Sequence, residues 1–456
     1  MIPLRLADVP ASVVMRGDPG ALVTGVSIDS RTAQPGDLFV AFGDGAAFVD
    51  DAVARGAVGV VVEEERIEQV MATAAAPNVL MTFSSLRCVQ FLGDANATAS
   101  RAFRIGVTGS AGKTSTKDAI AHLLGGQRRV VAAASGHNNE IGYPLTLTLM
   151  DEATEVVVCE LAMRGLGQIA ELCALASPDV GVITNVGTAH LELLGSREAI
   201  AQAKGEIIAG LRAPGRAVIP FAEPLLDPHL VDGVECTTFG EEAGADVQLV
   251  DRRLLEHGQE LAFLVRGELL SLRTNLLGRH SARNLAAAIA VCDLLGLDLG
   301  DVAARAADVP QQPWRGEVVE LPGPIAVVND AYNANPASLE AALRLLAETR
   351  VDGRRIAVLG PMAELGPDSP DFHRELGALA ARSRVDIVIA VGEPARAYLD
   401  GAGRDVAGHW VADAAAAAEL LAGVVRPGDR VLVKGSRVAA LEAVPDLLAR
   451  RLGGTA

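Results

Sequence analysis

The stretch "FRIGVTGSAGKTSTKDAI", residues 103–120, constrains what this chain can fold into more than any other. An apolar run, a glycine-rich turn and a helical pattern follow one another without interruption. A buried strand that feeds straight into a helix aims backbone N–H groups and the helix dipole at one point, which suits phosphate oxygens. The usual nucleotide-phosphate loop has Gly, four residues, then Gly-Lys-Ser/Thr. Counting back from Gly112, Lys113 and Thr114, the first glycine belongs at 107, where the chain has Val107. One backbone approach therefore differs, but Gly109, Ser110, Ala111, Gly112, Lys113, Thr114 and Ser115 keep the phosphate end of the loop. Lys113 is placed to neutralise the terminal phosphates, and the Thr114 hydroxyl to ligate Mg²⁺. The competing reading is an ordinary strand–turn–helix with a solvated lysine.

A chain of 456 residues exceeds one ordinary core and suggests roughly three domains. Half of it is hydrophobic and 21% is charged, a globular composition with ample core. The net charge of -17 offers no electrostatic footprint for nucleic acid or for an anionic membrane surface. It does not exclude an anionic substrate, since a phosphate site needs only a few local cations. Cys88, Cys159, Cys173, Cys236 and Cys292 form no CxxC or metal-type spacing and read as small apolar residues in a reducing compartment. There is no basic-then-apolar leader and no run approaching the ~18 apolar residues of a membrane span. The expectation is a soluble cytoplasmic protein without membrane insertion.

The pattern divides into an α/β fold of three blocks, 1–98, 99–314 and 315–456. The first holds strand-like runs, "VSIDSR" and "DLFVAF", then a helix-to-strand unit, "DDAVARGAVGVVVEE". In the second, "EVVVCEL" and "DVGVITNV" read as strands buried on both faces of a parallel sheet. "HSARNLAAAIAVCDLLG" reads as a helix capped by Ser281 and ended by Gly296. In the third, "RRIAVLG", "VDIVIAVG" and "DRVLVKG" each run a strand into a glycine at the carboxyl end, where ligands sit in open α/β sheets.

Phosphoryl chemistry also calls for metal ligands at neighbouring strand ends. Glu160 closes "VVVCE", where a carboxylate can hold Mg²⁺; a solvated strand end is the plain alternative. His190 follows "DVGVIT", and a lone histidine there can equally be structural.

The ordered motifs "GVTGSAGKTSTK", "GHNNEIGYPLTL", "NVGTAHLELLGS", "AKGEI", "GRHSARN", "WRGE", "NDAYNANPAS" and "VLVKGSR" resemble those of the Mur ligases. The shortened phosphate loop is that family's version of the motif. The resemblance spans nearly the whole chain and is strongest from 104 to 340. It implies a three-domain architecture: an N-terminal UDP-substrate domain, a central P-loop-type ATPase domain and a Rossmann-like C-terminal domain. "NNEIGYPLTL" and "NDAYNANP" resemble most the branch that adds D-Ala-D-Ala to UDP-MurNAc-tripeptide.

Carried over residue by residue, the resemblance implies catalytic roles for Lys113, Lys204, His190 and Glu160, with Thr114, Glu160 and His190 on two Mg²⁺ ions. Lys204, which by itself reads as a surface helix lysine, matches the family's carbamylated lysine. Asn284 would meet adenine, and Arg315 and Asp330 the rest of the ATP. Asn138, Asn139 and Glu140 would face the muramoyl peptide, and Ser30 and Arg31 the UDP moiety, for which an arginine fork is well shaped. Lys434, Ser436 and Arg437 follow a strand and open a helix, and would meet ATP phosphate or peptide carboxylate, or form a solvated loop. His280, Tyr332 and Asn333 align with motif positions but have packing readings, and Asn335-Pro336 reads as a helix start. The segment usually Asp-Gly-His is here Asp44, Gly45 and Ala46, the run after Glu160 is Ala162, Met163, Arg164 and Gly165, and Pro361 stands where Asp is frequent. These departures bear on the substrates more than on the reaction. A monomer is expected, with no nucleic-acid partner. Two other readings remain: a sister ligase adding another amino acid or acting on a folate, and a P-loop ATPase with a regulatory role.

Overall fold

The apolar runs become strands, and their order decides which strand ends meet. The computed structural model describes residues 1–73, 76–255 and 257–453. Phe103–Thr108 lies inside a nine-stranded sheet. Val156–Glu160 pairs parallel to it on one side and Val180–Ile183 on the other. The chain first runs outward to the edge strand Val130–Ala132, returns to Val156–Glu160, then crosses to Val180–Ile183. Its direction of travel therefore reverses beside Phe103–Thr108, and the crevice at such a reversal is where open parallel sheets bind ligands. Glu160 stands level with Val107 and Ile183 with Thr108, so three strands end together.

The helix after this strand is Lys113–Leu124, with Gly112 in the left-handed region at its N-cap. Lys113 and Thr114 thus belong to its first turn. One face of the sheet is covered by this helix and Arg279–Leu294, through Ile120, Leu123, Ala286 and Ile289. The other is covered by Gln168–Leu175 and Arg197–Ala209, through Leu172, Ile200 and Ile207. Coverage on both faces is what continuous apolar strands require.

Two expectations are corrected here. Arg279–Leu294 is capped by Gly278, so Ser281 lies within its first turn and caps nothing; Gly296 does end it, at φ +69°. "KGSR" leads into two short 3₁₀ turns, Arg437–Ala439 and Leu441–Ala443, before the helix Val444–Arg451. The sheet also ends in an antiparallel meander, Val247–Leu254, Gln259–Val265 and Glu268–Thr274, that the strand–loop–helix reading did not anticipate.

Residues 12–82 supply a five-stranded sheet, followed by the helix Ser85–Ala99, capped by the Ser84 side chain. This helix packs on Gly142–Thr148 closely enough that a Cβ on Gly93 would lie 2.6 Å from Pro144. Asn96 donates to the carbonyls of Leu147 and Met150 and locks the two together. Residues 317–434 supply a six-stranded sheet, parallel except for its first hairpin. The helix Pro336–Glu348 follows, with Asn335 and Ser338 in a reciprocal capping box. Cys88, Cys159, Cys173 and Cys292 are buried and free, and burial pushes their thiols up to about 12. Among the described residues, no helix is long and apolar enough to cross a membrane.

Candidate active site

A cleft of about 1580 Å³ opens over the three strand ends. Its floor is the loop from Ser110 to Ser115, its walls include Asn138, Asn139, Glu140, Glu160 and His190, and Arg315, Asp330 and Lys434 close it from the third sheet's side.

The loop's shape depends on glycine at two points. Gly109 has φ +148° and a Cβ there would stand 1.8 Å from Thr184 Oγ1. Gly112 has φ +80° and a Cβ there would stand 2.6 Å from Asn284 Oδ1. The loop is further clamped by two residues that sequence reasoning missed. Thr184 Oγ1 and Asn185 Nδ2 both donate to the Ala111 carbonyl, at 2.6 and 2.9 Å, and Ala111 N–H donates to Asn185 Oδ1 at 3.0 Å. They lie where "DVGVITNV" runs into "NVGTAHLELLGS", a stretch from which only the histidine was singled out.

Thr114 Oγ1 donates to Glu160 Oε2 at 2.8 Å, and Asn138 Nδ2 donates to Glu160 Oε1 at 2.9 Å. Glu160 is only 4% exposed. Arg315 Nη2 reaches across 201 residues of sequence to donate to Thr114 Oγ1 at 3.1 Å. Lys113 Nζ donates to the Gly109 carbonyl at 2.8 Å. Burial holds Lys113 below the usual lysine range, with Glu160 opposing and Arg315 adding to the effect.

Lys204 is not a surface lysine. It is 1% exposed, on the inward face of Arg197–Ala209. Burial, reinforced by the charge of Lys113, pushes it well below the usual lysine range. His190 sits at φ +65° with Nδ1 2.7 Å from Glu364 Oε2. Burial lowers its proton affinity, and the Glu364 carboxylate opposes that. Glu364 is itself at φ +60°, so two strained residues face one another across the cleft. Strain of this kind persists where the surroundings over-determine it.

Other sequence candidates are placed differently. Asp330 Oδ2 accepts from Lys434 Nζ at 2.6 Å, and Lys434 also donates to the Asn333 carbonyl. Ser436 is buried, accepting from Ala363 N–H and donating to the Ala334 carbonyl. Asn139 Oδ1 accepts from the N–H of Gly142 and so caps its own turn. Arg437 is exposed and stacks on Trp314. Ser30 and Arg31 do not line the cleft; Arg31 is exposed and pairs with Asp29 at 2.6 Å. Arg87, Arg164 and Arg283 do line it and were not singled out for any role. Among the described residues, no three His, Cys, Asp or Glu side chains converge as a closed metal site.

A phosphate loop at a sheet reversal, a buried carboxylate beside it and an arginine reaching in from another sheet make a nucleotide-phosphate site, and the comparisons identify it as that of an ATP-dependent ligase of the Mur type. The family model for the Mur ligase middle domain matches residues 107–292, and that for the Mur ligase, glutamate ligase domain matches residues 314–437. The chain belongs to the Mur ligase family, with its three-domain α/β architecture. Within it, the chain is similar to a UDP-N-acetylmuramoyl-tripeptide–D-alanyl-D-alanine ligase of Bacillus subtilis, 34% identical over 436 residues, or 93% of this chain and 92% of that protein. Among solved structures it is similar to the MurF ligase from Thermotoga maritima in complex with ADP, with 31% identity, a TM-score of 0.80 and coverage of 94% and 98% of the two chains. MurF from Acinetobacter baumannii aligns with a TM-score of 0.83 at 27% identity, covering 94% of each chain.

Proposed function

We propose that this chain joins D-alanyl-D-alanine to the free carboxylate of UDP-MurNAc-tripeptide at the expense of ATP. It would do so as a cytoplasmic monomer, in the last soluble step towards the UDP-muramoyl-pentapeptide of peptidoglycan. Residues 1–98 would hold the UDP end, 99–314 the ATP, and 315–456 the incoming dipeptide. What carries the reading is the likeness to UDP-N-acetylmuramoyl-tripeptide–D-alanyl-D-alanine ligases over 93% of the chain; within the site, Lys113 on the phosphate loop and the buried Lys204 within its electrostatic reach support ligation. A regulatory ATPase has no use for the second.

The chemical difficulty is to bring a phosphoryl group and a carboxylate together, both anionic. Lys113 and Arg315 offset that repulsion and stabilise charge as it develops. The Thr114 hydroxyl, Glu160 and His190 are the groups that would hold Mg²⁺. They are too few to enclose an ion alone, which fits a cation that takes the rest of its oxygens from substrate phosphates and water. Two such ions would supply Lewis-acid stabilisation of the phosphoryl oxygens. Because burial favours the neutral amine of Lys204, its lone pair can add to CO₂, forming an N–C bond and releasing a proton. The resulting carbamate anion would face Lys113 and help organise the metal site.

Phosphoryl transfer to the tripeptide carboxylate then gives an acyl phosphate and ADP. The neutral amine of the dipeptide attacks that carbonyl, a tetrahedral intermediate forms, and phosphate leaves. Asn284 and Asp330 would contact the nucleotide, Asn138, Asn139 and Glu140 the peptide, and Ser30 and Arg31 the UDP. Of the "KGSR" residues, Lys434 is engaged by Asp330, and Arg437, stacked on Trp314, would meet an anionic substrate group. Closure of residues 315–456 over the cleft would exclude the water that competes for the acyl phosphate.

Phosphate release from ATP, measured with a panel of acceptors and amines, tests this reading. Release should need both UDP-MurNAc-tripeptide and D-Ala-D-Ala. Equal release with a single amino acid or a folate acceptor points to a sister ligase, and acceptor-independent release to a plain ATPase. Gly112→Ala should weaken ADP binding by about tenfold or more, because a left-handed, sterically closed position costs on the order of 1–3 kcal/mol. An unchanged titration would contradict the loop's role.

A further inference from the structure

We infer that Tyr332, backed by Trp314, is a positioning residue that holds the Arg315 guanidinium at the Thr114 hydroxyl. The Arg315 guanidinium carbon lies 3.8 Å from the centroid of the Tyr332 ring. Its Nη2 donates to Thr114 Oγ1 at 3.1 Å. Among the described residues no carboxylate forms an ion pair with this guanidinium, so the ring is its support on the side of the third sheet.

The support is itself fixed. Trp314 adopts φ +61°, a left-handed conformation that is costly for a bulky residue. Its N–H donates to Glu317 Oε2 at 3.1 Å, and its carbonyl accepts from Tyr332 N–H at 3.0 Å. The turn that aims Arg315 into the cleft is therefore tied by its backbone to the residue that carries the ring. The Arg437 guanidinium carbon lies 4.8 Å from the Trp314 ring centroid and 5.8 Å from that of Tyr332. An unsupported arginine samples many rotamers, and a flat aromatic surface selects those that keep its edge donors in one plane. The stack thus carries the position of the third sheet to the first turn of the phosphate-loop helix. The ring performs this task and the phenol hydroxyl is not needed for it.

The activity readout rests on the ligase reading, whereas the binding readout does not. Wild type, Tyr332→Phe, Tyr332→Leu, Tyr332→Met, Arg315→Ala and the double variant Tyr332→Leu/Arg315→Ala would be compared by kcat, by KM for both substrates and by ADP titration. Thermal melting would select whichever of the Leu and Met variants remains folded. Phe should stay within about twofold of wild type, and Leu or Met should lower kcat by about tenfold or more with KM for the tripeptide substrate unchanged. Losing the ring should cost nothing further once Arg315 is gone, because residues acting through one another are not additive. The inference is overturned if Phe is as damaging as Leu, which would put the hydroxyl on substrate, if Leu and Met are both near normal, or if the two losses add. A wild type without acceptor-dependent turnover defeats the ligase reading instead. The ADP cycle then decides alone: an affinity loss on removing the ring that disappears in the Arg315→Ala background supports the inference, and equal losses in both backgrounds, or none in either, overturn it.

Discussion

Lys204→Met is expected to lower turnover by roughly a hundred- to a thousandfold, the scale of losing one preorganised electrostatic group, while leaving the fold as stable as before or more so. The two effects point in opposite directions for a physical reason. Lys204 is 1% exposed and its proton affinity is pushed well down by burial and by Lys113. A buried amine is a cost to folding, and methionine fills similar volume without it. A lysine whose folded-state pKa lies below its unfolded value binds fewer protons when folded. Between the lowered value and the ordinary one near ~10.4, stability should therefore rise with pH. Lys204→Met should flatten that rise. Denaturant melts in CO₂-free buffer across this pH range, where Lys204 stays an uncarbamylated amine, and turnover assays with CO₂ present check both halves. A variant that loses stability and activity together would make Lys204 a structural residue.

Lys113→Ala is expected to be at least as severe, about a thousandfold or more in turnover, since phosphoryl transfer relies almost wholly on positioning and charge stabilisation. Lys113 Nζ bonds the Gly109 carbonyl at 2.8 Å, on the loop whose N–H groups would cradle the phosphates. Its loss should also weaken ADP binding in titrations. Removing its charge should let Lys204 hold its proton to higher pH, because Lys113 contributes to the depression of that group. Near-normal turnover with Lys113→Ala would remove the loop from the mechanism.

The parts of this site that were legible in the sequence are those in which chemistry and local structure coincide. "GSAGKT" follows its own strand and opens its own helix, so a window of a dozen or so residues suffices to read it. Glu160 and His190 were found because strand ends are marked by where the apolar runs stop. Lys204 had a readable signal that was passed over: it is four residues beyond Ile200 and three before Ile207, on the same helical stripe, and both are fully buried. Charge suggested surface, and the period said core. The meander from 247 to 274 was missed because its alternation, buried and half-buried along Gln259–Val265, is the period-two signal of one-sided strands. Ser281 was misplaced as a cap because Gly278, at φ +90°, turns the chain three residues earlier. The clamp of Thr184 and Asn185 on Ala111 and the reach of Arg315 to Thr114 had no local signature. They arise only when segments 74 and 201 residues apart are brought together by the sheet order and the packing of the third sheet on the second.

The most direct measurement of the central claim is the mass of the product formed from UDP-MurNAc-tripeptide, D-Ala-D-Ala, ATP and Mg²⁺. A species heavier than the acceptor by one dipeptide less one water, formed in step with ADP and phosphate, is the predicted result. ADP and phosphate with the acceptor mass unchanged would contradict it.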